Sequence, residues 1–458
     1  MHPNDAAGTA DERYRALLAE AGAADTAARF AAETERRGLY YGGKPVCATI
    51  QPGFVEAGDH AAFADACGRA MVLIERADAA FRTDLALRDR WLGAHPLRPL
   101  IEAHRGGLPE PAGRFDALVD AAGTPHFIEY NAGLCGGVFF DEALSDAFDT
   151  LPPMQALAAE RPIAFERAGE AFLDALVALH DARGPGTPLK RVAFVIPDGP
   201  AGDMWPDHAE LRMMTAMLGE RGIGTRVLRI GTCDMTGGAI ATADGWVADC
   251  ACIFDWIALL SEPPAAPLLA GAPLPGTWLV NSLGAAIFRG GKHVFAMISD
   301  PALGIAADAA ERAFVDRHIP WTRMVVPGDT TGPDGDTAPL LDHIRRHRDR
   351  LVLKPCFAMG GRGVLLGWQA DDATWERAIA AALAEPSVVQ EKVATPFLPY
   401  ACPTGDGAVE DRMLQSDLCT FYWFDGRAHG LHRRVSASGL LNISGAAGGT
   451  VVPLYIAG

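Results

Sequence analysis

Lys354 stands in the stretch LVLKPCFAMGGRGVLLGW (351–368), followed by glycines 360, 361 and 363. This order reads as an apolar strand, a glycine loop and a second apolar strand. Such a hairpin can lay its loop over a polyphosphate: glycine lets backbone N–H groups reach the oxygens, and a strand lysine adds positive charge. Downstream, SVVQEKVATPFLP (387–399) supplies a short strand ending in Gln390 and Glu391, where a backbone edge can read an adenine. No GxxxxGK(S/T) run occurs, and Gly360–Gly363 precedes a strand rather than a helix, which excludes a P-loop and a dinucleotide fingerprint. The competing reading is a solvated edge-strand lysine beside an ordinary glycine-rich hairpin.

Three further groups carry chemistry. In RFDALVDAAGTPHFIEYNAG (114–133), a hairpin places Asp116 and Glu129 on facing strands. Glu129 and Asn131 share a face, as do Arg114 and Asp116, because strand side chains alternate with a period of two. Two carboxylates and an amide oxygen converging there make the hard-oxygen set that Mg²⁺ prefers, against the alternative of a surface hairpin with solvated acids. In GLHRRVSASGLLNISGAAGGTVVPLYI (430–456), Arg433 and Arg434 point to opposite faces of a strand, so one enters a site while the other is solvated. An arginine fixed where a phosphoryl group is transferred neutralises developing charge. Asn442 and the glycine turn 445–449 lead into a last strand. In AIFRGGKHVFAMISDP (286–301), Lys292 opens a helix and is placed to reach a phosphate.

The elements that must position these residues follow from periodicity and punctuation. Residues 10–37 and 58–93 read as helices, with Asp59 capping the second, and 160–182 as another amphipathic helix. Residues 114–131 read as a hairpin turning at Ala-Gly-Thr-Pro. From Lys190, RVAFVIPD, a helix over 207–222, TRVLRI and ACIFDWIAL follow the strand–helix–strand rhythm of a small α/β domain with parallel pairing, bounded by the Pro-rich stretch 261–276. The expected division is 1–110 (helical, substrate region), 111–185 (hairpin and helix), 186–280 (small α/β domain) and 281–458 (nucleotide-binding region).

The chain of 458 residues has room for more than one full core, and 49% hydrophobic with 21% charged residues is globular composition. A formal charge of −17 argues against a general nucleic-acid surface, while leaving room for a locally basic pocket. The nine cysteines form no CxxC pair and no zinc-type cluster, which fits reduced thiols. The N-terminus is polar and acidic, and no apolar run reaches the roughly 18 residues needed to span a bilayer, so a cytoplasmic protein without membrane partners is expected.

In order and spacing, these four groups resemble the ATP-grasp superfamily, and within it the circularly permuted branch typified by the synthetase domain of glutathionylspermidine synthetase. In that branch an RxD and an ExN motif precede the nucleotide-grasping lysines, as RFD (114–116) and EYN (129–131) precede Lys292 and Lys354 here. The family's lysine helix resembles GGKHVFAMISD, its grasp hairpin LKPCFAMGGRGV, its hinge VVQEKVATPFLP, and its closing GL-x-x-R…N…VP pattern GLHRRV…NISGAAGGTVVP, which favours Arg434 as the inward arginine.

The resemblance implies an α/β fold, mixed with α+β features: a permuted ATP-grasp with a small pre-ATP-grasp-type domain. It implies ATP held by Lys292, Lys354 and the glycine loop 358–363, with adenine at 388–391 and Mg²⁺ on Asp116, Glu129 and Asn131. It further implies catalytic roles for Arg434 and Arg114 in joining a small-molecule carboxylate to an amine through an acyl phosphate. The loop after EYN reads AGLCGG where the glutathionylspermidine enzymes are acidic and Thr/Ser-rich, so neither glutathione nor spermidine carries over. Cys135 in that loop reads as a packed thiol. The rival readings are a phosphotransferase on the same fold and a module that binds ATP without turnover. Oligomeric state is unread.

Overall fold

A computed structural model describes residues 9–93, 95–103, 110–184, 186–203, 205, 208–260, 262–271, 274–358, 360–438, 441 and 449–458. Asn442 and most of the glycine turn 445–449 therefore lie outside the described residues. In chain order, the elements that matter here begin with α1 (Ala10–Ala21), α2 (Ala23–Arg36), β1 (Gly53–Glu56) and α3 (Ala57–Thr83). The hairpin β2 (Gly113–Val119) and β3 (Pro125–Ala132) and the helices α4 (Val138–Phe148) and α5 (Ala168–Ala182) follow. Then come β4 (Arg191–Ile196), α6 (Ala209–Glu220), β5 (Gly224–Arg229), β6 (Cys250–Ile253), β7 (Trp278–Leu279) and α7 (His293–Ser299). The C-terminal part contains β8 (Thr322–Met324), β9 (Leu351–Pro355), β10 (Leu365–Leu366), α8 (Asp372–Ala384) and β11 (Ser387–Glu391). The chain closes with β12 (Phe397–Pro403), β13 (Val409–Tyr422), β14 (Ala428–Ser436) and β15 (Thr450–Ala457).

Three sheets frame the site. The largest runs β1-β15-β14-β13-β2-β3, with β12 added against β13. A second sheet, β8-β11-β9-β10, is antiparallel throughout. The third, β7-β6-β4-β5, is wholly parallel and is the expected small α/β unit. Its last strand comes after the Pro-rich stretch, which is therefore internal to the unit rather than its boundary.

Several local expectations are corrected. The reading of 10–37 as one helix fails at Gly22, whose φ of +85° ends α1 and restarts the chain as α2. A capping box fixes the start of α1, with the Thr9 hydroxyl accepting from Glu12 N and the Glu12 carboxylate accepting from Thr9 N. Asp59 does not cap α3: Glu56 occupies that position, and Asp59 lies in the first turn, favourable to the helix dipole. The N-terminal region is not purely helical, because β1 pairs in parallel with β15 and joins the main sheet. Residues 160–182 divide into the end of one helix, a two-residue strand at 163–164 and α5.

The β2–β3 hairpin forms as read, turning where the Asp120 carboxylate accepts from Ala122 N and Thr124 N, with Gly123 at φ +80°. One irregularity sets its chemistry. The register steps from Asp116↔Glu129 to Ala117↔Phe127, so Ile128 is an extra residue. Phe127 and Tyr130 thereby both turn into the core beside Phe115, while Glu129 and Asn131 stay on the polar face. Burying rings of this size contributes roughly 2–3 kcal/mol each, which locks the bulge in place. Among the described residues no helix is long and apolar enough to cross a membrane.

Candidate active site

The register of the large sheet lines up one polar row. Asp116 on β2 faces Glu129 on β3 on one side and Cys419 on β13 on the other, and Cys419 in turn faces His432 on β14. Two residues along β14 from His432, Arg434 projects from the same face. Its Nη2 lies 2.7 Å from Asp116 Oδ2 and 2.6 Å from Asp417 Oδ2. Arg114 Nε donates to Asp116 Oδ1 at 2.6 Å, and its Nη1 donates to Gly136 O at 2.9 Å. Asp116 has no exposed side-chain surface. Burial alone pushes its pKa up, but the guanidinium groups of Arg114 and Arg434 outweigh that and hold it well below the usual carboxylate range. Asp417 goes the other way: burial raises it, Arg434 only partly compensates, and Asp116 adds repulsion.

Asp116 and Glu129 are like charges directly opposed across a strand pair, an arrangement that is destabilising unless compensated. The Asn131 amide bridges them, with Nδ2 donating to Asp116 Oδ2 at 3.1 Å and to Glu129 Oε1 at 3.4 Å. The other Glu129 oxygen meets Lys292 Nζ at 3.4 Å. Lys292 stands just before α7, and its Nζ also donates to Ala358 O at 3.0 Å, tying the base of the glycine loop to the hairpin.

Lys354 comes from β9 in the second sheet. Its Nζ donates to Gln390 Oε1 at 2.6 Å, and Gln390 Nε2 donates to the Thr322 hydroxyl at 3.0 Å. Burial pushes the Lys354 pKa down to about 8; Glu129 opposes the shift and Lys292 adds to it. Asp116, Glu129 and Asp417 thus face Arg114, Arg434, Lys292 and Lys354, leaving one positive charge in excess. The excess suits an anionic ligand entering between the two sheets.

No protein-family profile and no curated protein matches the chain. Among solved structures it is similar to a glutathione synthetase-like effector from Globodera pallida in its apo form, with a TM-score of 0.58 and 12% identity over 94% of this chain and 96% of that one. The fold is ATP-grasp-like. D-alanyl-alanine synthetase A from Vibrio cholerae O1 biovar eltor also matches, at 12% identity over 58% of this chain and 74% of that one; its TM-score of 0.27 carries no argument.

Within this ATP-grasp-like frame, the expected residues Arg114, Asp116, Glu129, Asn131, Lys292, Lys354 and Arg434 converge at one place. Gly360, Gly361 and Gly363 are solvent-exposed, each with φ between +66° and +72°, a region glycine enters without strain. The strand after the loop is only Leu365–Leu366, because Gly367 turns tightly against Arg348 O, where a Cβ would stand 2.0 Å away.

The adenine-reading edge expected at Gln390 and Glu391 is corrected. Strand β11 lies between β8 and β9, so its backbone is paired on both sides, and Glu391 N already donates to Trp321 O at 2.8 Å. The Gln390 side chain is spent on Lys354 and Thr322, and Glu391 meets Arg350 Nη2 at 2.8 Å. Lys392 N in turn donates to Arg350 O at 2.8 Å. Arg433 is half-buried rather than solvated. Cys135, expected as a packed thiol, is half-buried: its Sγ donates to Asn131 O at 3.0 Å, and desolvation pushes its pKa up to about 12.

Three site residues escape the motif reading. Asp417 shares Arg434 with Asp116, and a single acid in the apolar run LCTFYWF and its approach is the signal that marks it. His432 is fully buried beneath Gly137, with neither ring nitrogen hydrogen-bonded. Glu210, from α6, accepts from the N–H groups of Gly137 and Phe139 and so pins the loop after β3 to the start of α4.

Proposed function

We propose that the chain is an ATP-dependent ligase that joins a small-molecule carboxylate to an amine, releasing ADP and phosphate through an acyl phosphate. The observation that supports this most is the meeting of Lys292 and Lys354 with the Arg114–Asp116–Glu129–Asn131–Arg434 row. One set suits a polyphosphate, and the other suits a metal and an anionic transition state. The order of the motifs along the chain supports the permuted arrangement, with the carboxylate hairpin ahead of both lysines.

The donor set fits Mg²⁺. Glu129 retains a quarter of its side-chain surface, Asp116 is kept ionised by its arginines, as a ligand must be, and Asn131, whose Nδ2 faces both carboxylates, would turn its amide oxygen to the ion. Glu129, Asn131 and Asp116 would hold the ion. Once bound, it would neutralise charge on phosphate oxygens during transfer.

The residues of the chain divide the remaining work. Lys354, sitting in a pocket that lowers its own pKa, gains from an incoming phosphate the counter-charge that burial denies it. Lys292 joins the phosphate site to Ala358 at the base of the glycine loop, so occupancy there favours the loop moving inward from its exposed position. Arg434 and Arg114, held rigid by Asp116 and Asp417, present fixed donors to charge developing at the transferred phosphoryl group and at the tetrahedral centre formed by amine attack. Exclusion of water by the closed loop protects the acyl phosphate from hydrolysis.

The test is release of ADP and phosphate from ATP and Mg²⁺ against a pooled panel of amino acids, small carboxylic acids and polyamines, with products read by mass spectrometry. An adduct lighter than its two substrates by one water is the expected product and identifies both. AMP in place of ADP overturns the acyl-phosphate route. Phosphate transfer that needs no amine moves the assignment to a phosphotransferase.

A further inference from the structure

Arg433 and Arg434 are neighbours on β14 and project from opposite faces of the large sheet. Arg434 is spent in ion pairs, whereas the half-buried Arg433 guanidinium makes no ion pair among the described residues and has the Tyr400 hydroxyl as its side-chain hydrogen-bond partner. Its surroundings are nonetheless constructed around it. A Cβ added to Gly53 on β1 would stand 3.2 Å from Arg433 Nη1, so this strand carries no side chain where the guanidinium lies. Tyr400 on β12, only 2% exposed, places its hydroxyl against Arg433, where the phenol oxygen accepts from the guanidinium. Gln51, 4% exposed and two residues before Gly53, accepts at Oε1 from Arg15 Nη1 at 2.9 Å and Ala401 N at 3.4 Å.

The charges facing this place come from two elements, α1 and β13. Asp11 and Arg15 project from α1, and Arg15 is already held by Asp411 of β13 at 2.6 Å. Asp11 acts on Arg433 without reaching ion-pair distance, and Asp417 does so through the sheet. The guanidinium therefore spends one N–H on the phenol oxygen and keeps its other N–H donors, and the buried phenol keeps its own O–H proton to donate.

We propose that Arg433 and Tyr400 form a second ligand site, on the reverse face of the sheet from Arg434, that takes a small carboxylate. The planar fork of Arg433 matches the two oxygens of a carboxylate bidentately, and the Tyr400 hydroxyl donates to one of them. A lysine at the same place would supply charge without that geometry. The site is separate from the catalytic row and stands whether or not the ligase reading holds.

The experiment is a titration of the full chain with carboxyl-labelled acetate at fixed ionic strength, followed by the line width of the labelled signal. Saturable binding to the wild-type chain is expected. Affinity should fall at least about tenfold in Arg433→Met and roughly threefold to tenfold in Tyr400→Phe, the range expected for losing one hydrogen bond. Tyr400→Phe removes only an oxygen and so keeps the test open if Arg433→Met folds poorly. Acetate taken up at the catalytic face survives both substitutions and is told apart by that. Absence of saturable binding to the wild type, equal binding by the wild type and both variants, or tighter binding of inorganic phosphate than of acetate each overturns the proposal.

Discussion

Lys354 and Gln390 form a direct pair, Nζ to Oε1 at 2.6 Å across β9 and β11, with Gln390 anchored in turn by Thr322. The glutamine therefore orients the lysine and leaves its charge without a partnering anion. Burial then depresses its pKa, with Glu129 and Asp116 opposing and Lys292 adding to the shift, and this gives the pH dependence two opposite signs. Between about 8 and 10.5 the unfolded chain holds a proton on Lys354 that the folded chain has released, so this group makes stability rise with pH through that window. Affinity of the free protein for ATP should move the other way, falling by roughly tenfold per pH unit above that lower limit as the charge is lost. Calorimetric titration of ATP between neutral and alkaline pH checks this; Lys354→Met should abolish the slope, and a slope that persists in that variant refutes the assignment.

Glu129 is the most accessible carboxylate of the row, with a quarter of its side-chain surface exposed. Glu129→Ala should leave the fold intact by circular dichroism while reducing ATP-dependent product formation about a hundredfold or more. Wild-type turnover in the folded variant would remove Glu129 from the metal set.

What the sequence makes legible here depends on distance along the chain. The facing of Asp116 and Glu129 can be read because one hairpin and a period of two fix it. The bulge at Ile128 that preserves this facing cannot, since it is decided by where Phe127 and Tyr130 find room in the core. The pairing of Lys354 with Gln390 depends on β11 lying beside β9, a topological fact with no local signature; both residues read as nucleotide contacts, yet one serves the other. Helix α4 carries no local start signal, because Gly137 precedes it and its N-terminal N–H groups are capped from α6 by Glu210. The parallel sheet, by contrast, announces itself through the strand–helix rhythm of 190–260.

A second pH response lies away from the site. Glu166 accepts from His60 Nε2 at 3.0 Å and faces His429 Nδ1 at 3.4 Å, while His429 Nε2 meets Asp425 at 2.8 Å. Burial would raise Glu166, but the two histidines take it down from 4.5 to about 2; burial would lower His429, but Glu166 and Asp425 raise it above 6.5. The Glu166 contribution is complete above 4.5 and is lost as pH falls toward 2, and the His429 contribution is complete below 6.5 and is lost as pH rises through its elevated pKa. The difference in Tm between wild type and Glu166→Gln should therefore be greatest between those two limits and shrink on either side. A difference independent of pH would show that the contacts act by packing alone.

Arg434 holds two buried carboxylates at once, Asp116 and Asp417, each without exposed side-chain surface. Removing it in Arg434→Met leaves both charges without their shared partner, a change expected to cost about 3–5 kcal/mol and so to lower Tm as well as activity. Loss of activity in that variant alone would not separate a catalytic role from a structural one. Asp417→Asn separates them, because it removes the carboxylate that Arg434 serves only structurally and leaves the Asp116 contact in place. In a double-mutant cycle the pair should couple by about 0.5–3 kcal/mol in stability, with Asp417→Asn/Arg434→Met recovering part of the lost Tm. Activity should not return with it, since the guanidinium that stabilises developing charge is still missing. Recovery of turnover alongside Tm would show that Arg434 only holds the sheet together.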